Sequence, residues 1–299
     1  MFDLGQRRVA GLPSGEWTTW SAETLAQQYD ARATVRDFDA EMRAYADGSA
    51  PMYALPQCRA GLAYGTSVDE TLDLFPVPGQ PHAPLLLFIH GGYWRALSSR
   101  ESVFMAKALN QQGVAVASVN YSLAPAARLS TIVDQCRRAL CWLHHHGTDH
   151  GVQATRLVVA GSSAGGHLAA MLLSADWQCT VELPAHWVTA GVLVSGLFDL
   201  APLAQTTPNT WLNLSHEDVA ALSPVHHLPA PDAQLLVAVA ETDTPGFKQQ
   251  SLDYARVCRQ LGVQVEGLEV AGRNHFNIIL DWMDPQSALS QYTARLLRA

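Results

Sequence analysis

The sequence predicts an α/β fold: a mostly parallel, eight-stranded sheet with helices on both faces. Two observations carry this. Short runs rich in Val, Leu and Ile recur along the chain, and the central ones are apolar nearly throughout, as strands covered on both faces must be. Segments of helical periodicity lie between them, so strand and helix alternate as in a sheet built from crossover units. The length of 299 residues suits a single domain spanning 1–299 with one large core.

Residues 1–58 read as a helical N-terminal extension, because 21–46 (SAETLAQQYDARATVRDFDAEMRAYA) have little strand character. Strands are expected at 61–65, 69–75, 84–90, 114–119, 156–160, 190–195, 234–240 and 264–270. The first two are joined too closely for a crossover and predict an antiparallel start. Ile132, Cys136, Leu140 and Leu143 fall on one helical face. Leu168, Met171, Leu172 and Ala175 share a second, and Tyr254, Val257, Cys258 and Leu261 a third. The stretch 199–232, with many prolines and polar residues between two late strands, reads as a small cap insertion.

Hydrophobic residues make up 48% and charged residues 15%, an ordinary globular balance. The net charge is −8 and no dense Lys/Arg run occurs, which argues against nucleic acid or an anionic membrane surface as partner. No apolar run approaches a transmembrane span. The opening MFDLGQRRVAGLPSGEW lacks the apolar core of a signal peptide, so a cytoplasmic location is expected. Cys58, Cys136, Cys141, Cys179 and Cys258 are odd in number and form no CxxC, which suits free thiols in a reducing compartment. Oligomeric state is open, a homodimer included.

The chemistry concentrates at GSSAGGHLAAMLL, directly after the apolar run RLVVA. Gly161, Ser163 and Gly165 satisfy G-x-S-x-G; Ser162 does not, because Ala160 and Ala164 flank it at the same offsets. Strand, sharp turn and then an amphipathic helix are the context in which this pattern exposes a nucleophilic serine. Glycines at both offsets let the strand and helix backbones pass closely, and the helix N-terminus favours developing negative charge.

A serine hydroxyl needs a base. In this arrangement the order along the chain is Ser, then Asp or Glu, then His. Of the twelve histidines only His275, in AGRNHFNI, follows the last strand. The acid should leave the end of the penultimate strand, where QLLVAVA runs into ETDTPGF. Asp243 is the first choice there, with Glu241 and Asp199 as rivals. His144, His145 and His146 end a helix, a favourable place for histidine, and no metal-ligand spacing accompanies them. His167 reads as a residue that packs beneath the turn or supports the site residues from behind. No metal and no cofactor are expected, only a small-molecule substrate.

An attacked carbonyl becomes an oxyanion that pre-placed donors must meet. The N–H of Ala164 is one, and LLLFIHGGYWRAL supplies the others: Gly91 and Gly92 carry no side chain and let their N–H groups come close. His90 would hold that loop. Tyr93 and Trp94 have two readings, packing beneath the loop or a wall of the substrate pocket.

At these residues the chain resembles the kynurenine formamidase (arylformamidase) branch of the α/β hydrolases. HGGYW and GSSAGGHL carry the likeness, and YDARATVRD at 29–37 is similar to the branch's Y-N-x-R-x-x-V-x-D, with Asp30 where Asn is usual. YGTSVDETLDLF, VNYSLAPAARLSTIVDQCRRALCWL, SGLFDLAPL and ETDTPGFKQQS extend it over about residues 25 to 280. The resemblance implies an α/β-hydrolase fold and a serine hydrolase that deformylates N-formyl-L-kynurenine in tryptophan catabolism without metal. It also implies Ser163, Asp243 and His275 as the triad. One alternative is a carboxylesterase acting on small or aromatic esters, although such enzymes usually have a third glycine where this chain has Tyr93. Another is a binding protein on a dead hydrolase fold, disfavoured because every catalytic residue is present. Arg32, Arg95 and Arg273 are candidate partners for a substrate carboxylate.

Overall fold

A computed structural model describes residues 16–154, 156–178, 183 and 187–298. The start of the expected extension, the opening segment read for a signal peptide (up to residue 15) and Cys179 lie outside the described residues.

Among the described residues, eight strands form one sheet: β1 (Arg59–Ala63), β2 (Thr71–Phe75), β3 (Leu85–Ile89), β4 (Ala115–Val119), β5 (Leu157–Ser162), β6 (Val188–Val194), β7 (Gln234–Ala240) and β8 (Gln264–Val270). Each overlaps an expected run. The order is β1-β2-β4-β3-β5-β6-β7-β8. β1 pairs with β2, and β2 with β4, antiparallel; every later pair is parallel. The close joint between the first two strands therefore gives the antiparallel start its pattern predicts.

Among the described residues, ten α-helices accompany the sheet. They are α1 (Ala22–Gln28), α2 (Phe38–Ser49), α3 (Ala106–Gln111), α4 (Leu129–His146), α5 (Ala164–Leu173), α6 (Ala175–Gln178), α7 (Asn209–Leu212), α8 (His216–Leu222), α9 (Pro245–Gln260) and α10 (Ala288–Arg298). The alternation of β3 shows how the two faces are used. Leu85, Leu87 and Ile89 enter a core shared with Leu140 of α4, Leu168 of α5 and Tyr254 of α9. Leu86 and Phe88 enter a second core with Tyr45 of α2, Leu109 of α3 and Leu297 of α10. β3 is buried at all five positions, which is why its sequence does not alternate.

Three helical expectations need correction. α5 is buried at every position rather than amphipathic, because the chain after β6 packs over the side that would otherwise meet water. It ends at Leu173, so Ala175 opens α6 instead of sharing its face. Leu261 follows the last residue of α9 and is half exposed, unlike buried Tyr254, Val257 and Cys258.

In the extension, α1 and α2 flank a 3-10 turn, Ala31–Thr34. Ser21, Asp30 and Asp37 start the three segments by accepting the N–H groups of Thr24, Ala33 and Ala40, which an isolated helix end would leave unpaired. The segment 199–232 folds as short turns with α7 and α8. It docks through Trp211, whose Nε1 donates to the Tyr93 carbonyl at 3.1 Å, and through the Leu222 carbonyl, which accepts from His167 Nε2 at 2.7 Å.

Candidate active site

The parallel order places the C-terminal ends of β3, β5, β6, β7 and β8 side by side. The segments leaving those ends carry Gly91, Ser163, Ser195, Asp243 and His275 respectively. This edge is where open α/β sheets bind ligands.

Ser163 sits between β5 and α5 with φ 56° and ψ −119°, a backbone state that a non-glycine residue rarely holds. Its N–H donates to the Val194 carbonyl at 2.9 Å, which fixes the turn to β6. The flanking glycines are required by close approach. A Cβ on Gly161 would stand 2.1 Å from the Gly165 carbonyl oxygen, and one on Gly165 would stand 2.0 Å from the Ile89 oxygen. Ser163 is only 7% exposed.

His275 Nδ1 donates to Asp243 Oδ1 at 2.7 Å, and both residues are buried. That bond leaves Nε2 as the basic nitrogen. The rivals for the acid are engaged elsewhere: Glu241 accepts the N–H of Gly272, and Asp199 accepts the N–H of Ala201. Asp243 Oδ2 accepts from the Ser195 hydroxyl at 2.6 Å and from the Ala240 N–H at 2.8 Å. Burial raises the Asp243 pKa, but the charge and hydrogen bond of His275, the Ser195 hydroxyl and the Ala240 N–H lower it more, so it stays ionised.

Ser195 is the site residue that the sequence reading missed. It is fully buried at the end of β6 with φ 46°, and its N–H donates to the Ala238 carbonyl. A lone serine ending a strand has no motif. The only signal was its place before Gly196 at a strand tip.

Gly91 lies against Ser163: a Cβ built there would be 3.4 Å from the Ser163 Cβ and 2.8 Å from the Ser162 oxygen. Gly92 has φ 94°, and a Cβ there would be 2.3 Å from the Ala96 oxygen. Ala164 opens α5, so no intrahelical acceptor takes its N–H. The Gly91, Gly92 and Ala164 N–H groups donate to no backbone acceptor outside regular elements among the described residues. The loop is held from behind. His90 stacks on Tyr121 (4.1 Å, 8°), and the Tyr121 hydroxyl donates to the His90 carbonyl at 2.8 Å.

The two rings after HGG clamp this loop. Tyr93 and Trp94 have φ 50° and 56°, a costly pair that other contacts must hold in place. The Tyr93 hydroxyl donates to the Tyr29 carbonyl, and the Ala124 N–H donates to the Trp94 carbonyl. Trp94 is fully buried and meets His167 edge-on at 5.1 Å. Of its two readings, packing is the one its position fits; it offers no surface to a pocket. Tyr93 is partly exposed.

The segment 72–255 matches the model of the family described as BD-FAE. Kynurenine formamidase of Danio rerio is 31% identical over 294 residues, covering 94% of this chain and 98% of that protein. The Salmo salar kynurenine formamidase is 32% identical with the same coverage. The chain belongs to the kynurenine formamidase-like branch of the α/β hydrolases. Among solved structures, a Silicibacter sp. TM1040 protein proposed to be a thioesterase aligns with a TM-score of 0.79 at 27% identity, over 92% of this chain and 99% of that one. The carboxylesterase EstE1, from a metagenomic library, shares the α/β-hydrolase fold (TM-score 0.67, 21% identity, 94% and 98% covered).

Proposed function

We propose that this hydrolase is an aryl formamidase whose substrate is N-formyl-L-kynurenine, in tryptophan catabolism in the cytoplasm, and that Ser163, His275 and Asp243 carry the reaction. The observation that carries the chemistry is the buried 2.7 Å Asp243–His275 bond, on the same sheet edge as the strained Ser163 turn. The substrate comes from the near full-length likeness to the two fish kynurenine formamidases.

Ser163 Oγ attacks the formyl carbon while His275 Nε2 takes its proton. Asp243 keeps the imidazole in the tautomer that frees Nε2 and stabilises the imidazolium without taking its proton. Gly91, Gly92 and Ala164 donate N–H groups to the oxyanion. On collapse, His275 gives its proton to the anilide nitrogen and the arylamine leaves. Water, deprotonated by His275, attacks the formyl-serine, and formate is released with the Ser163 hydroxyl restored. The anilide nitrogen shares its lone pair with the ring, so its carbonyl is less deactivated than that of an alkyl amide. A formyl group is also small and exposed to attack.

The test is kcat/KM for N-formyl-L-kynurenine beside a series of p-nitrophenyl esters, with Ser163→Ala as the blank. A value of about 10⁵ M⁻¹s⁻¹ or more, with esters much slower, supports the reading. Esters faster by orders of magnitude would favour the carboxylesterase alternative.

A further inference from the structure

N-formyl-L-kynurenine carries a carboxylate on its leaving group, and neither the proposed triad nor the oxyanion donors Gly91, Gly92 and Ala164 include a lysine or arginine to meet it. The N-terminal extension borders the same site. Its residues 28–45 are tied to three of the four segments that bear the proposed catalytic groups, all but the Ser163 turn. On the oxyanion loop, the Tyr93 hydroxyl donates to the Tyr29 carbonyl. On the acid loop, the Thr244 hydroxyl donates to the Gln28 carbonyl and the Gly246 N–H to Gln28 Oε1. On the histidine loop, Asn274 Nδ2 donates to Glu41 Oε1 at 2.7 Å and the Phe276 carbonyl accepts from the Tyr45 hydroxyl. Phe38 packs edge-on to Phe276 at 5.2 Å, and Phe276 edge-on to His275 at 5.4 Å.

Arg32 lies within this wall. Its guanidinium carbon stands 4.0 Å over the Phe38 ring, so two rings separate it from His275. Arg32 is exposed and forms no ion pair among the described residues. Its two rivals are placed differently. Arg273 is spent on Asp281 at 2.6 Å, and Arg95 lies 4.3 Å over Trp211 of α7 on the cap side. A guanidinium laid on an aromatic face has a fixed plane, light hydration and a free fork of N–H donors, which suits bidentate capture of a carboxylate.

We propose that Arg32 is a specificity residue that binds the carboxylate of the leaving group, so that the enzyme selects aryl formamides bearing a carboxylate on their side chain. This rests on the formamidase reading, and the test separates the two. kcat/KM is measured for N-formyl-L-kynurenine and for neutral 2-formamidoacetophenone. An ester pair, 3-(2-acetoxyphenyl)propanoate and phenyl acetate, differs by a carboxylate without the accompanying ammonium group. The proteins are the wild type, Arg32→Gln, Arg32→Lys and Arg95→Gln. The charged-to-neutral ratio is expected to fall roughly ten- to a hundredfold in Arg32→Gln, mostly through KM, and by less in Arg32→Lys. Equal losses on both members of a pair, or a ratio that moves with Arg95→Gln and not with Arg32→Gln, would overturn the assignment. A wild type that cleaves the esters and neither formamide sinks the formamidase reading alone; the ester pair then judges Arg32 by the same ratio.

Discussion

Acidification should destabilise this protein through two histidines that take no part in the proposed proton transfers. His90 Nδ1 donates to the Gly91 carbonyl and His167 Nε2 to the Leu222 carbonyl. The second nitrogen of each ring is buried with no partner among the described residues. Protonation would place an unmatched N–H and a charge in a dry interior. Burial accordingly lowers both pKa values from 6.5 to about 4, against a smaller opposing effect of the carbonyl bonds. The unfolded chain then binds more protons than the native one between those limits, so stability is complete above pH 6.5 and drains as pH falls toward 4. At pH 5 the linkage relation gives a loss of about 2 kcal/mol per histidine, or about 4 kcal/mol together. That is a large part of the roughly 5–15 kcal/mol that holds a domain together. Asp243, whose pKa is lowered, keeps its contribution across this window and loses it only on further acidification. Urea unfolding at pH 8 and pH 5 measures the effect in the wild type and in His167→Gln, whose amide can still donate to Leu222. The variant should lose about 2 kcal/mol less stability between the two pH values. Identical losses in both proteins would refute the reasoning.

Other perturbations have defined outcomes. Ser195→Ala removes one of three donors to Asp243 and should lower kcat/KM by roughly ten- to a hundredfold, since bonds to a charged group are the costly ones to lose. A change below threefold would show that Ser195 does not position the acid. Gly91→Ala puts a methyl 2.8 Å from the Ser162 oxygen and should cut kcat by on the order of a hundredfold or more while thermal melting shows a folded protein. Trp94→Ala empties a fully buried site and should cost about 3–5 kcal/mol in denaturant unfolding, where a pocket wall would cost activity and little stability.

Much of the fold was legible because strands buried on both faces leave continuous apolar runs, as β3 and β7 do. Their spatial order was not. Nothing in the runs themselves tells that β4 lies between β2 and β3, since hydrophobicity records burial and not neighbours. α5 misled for a related reason: AGGHLAAMLL is apolar on all sides, a sign of complete burial that a search for one face overlooks. At the site, motifs with steric demands were the readable part. Gly161 and Gly165 are glycines because backbones pass within a Cβ's reach, and that need leaves a spacing in the sequence. Asp243 could be ranked above Glu241 and Asp199 only provisionally, because three carboxylates near strand ends look alike until one meets His275. Ser195 had no spacing to reveal it. Trp94 and Tyr93 show the limit of residue type alone: two adjacent rings read the same in sequence, and one is fully buried while the other is not.

The central claim is that Ser163 is a nucleophile activated by the His275–Asp243 pair. Labelling with a fluorophosphonate, followed by peptide mass spectrometry, tests it most directly. The account predicts one adduct, on Ser163, formed at least about a hundredfold more slowly in His275→Ala. An adduct on neighbouring Ser162, or a labelling rate indifferent to His275, would contradict it.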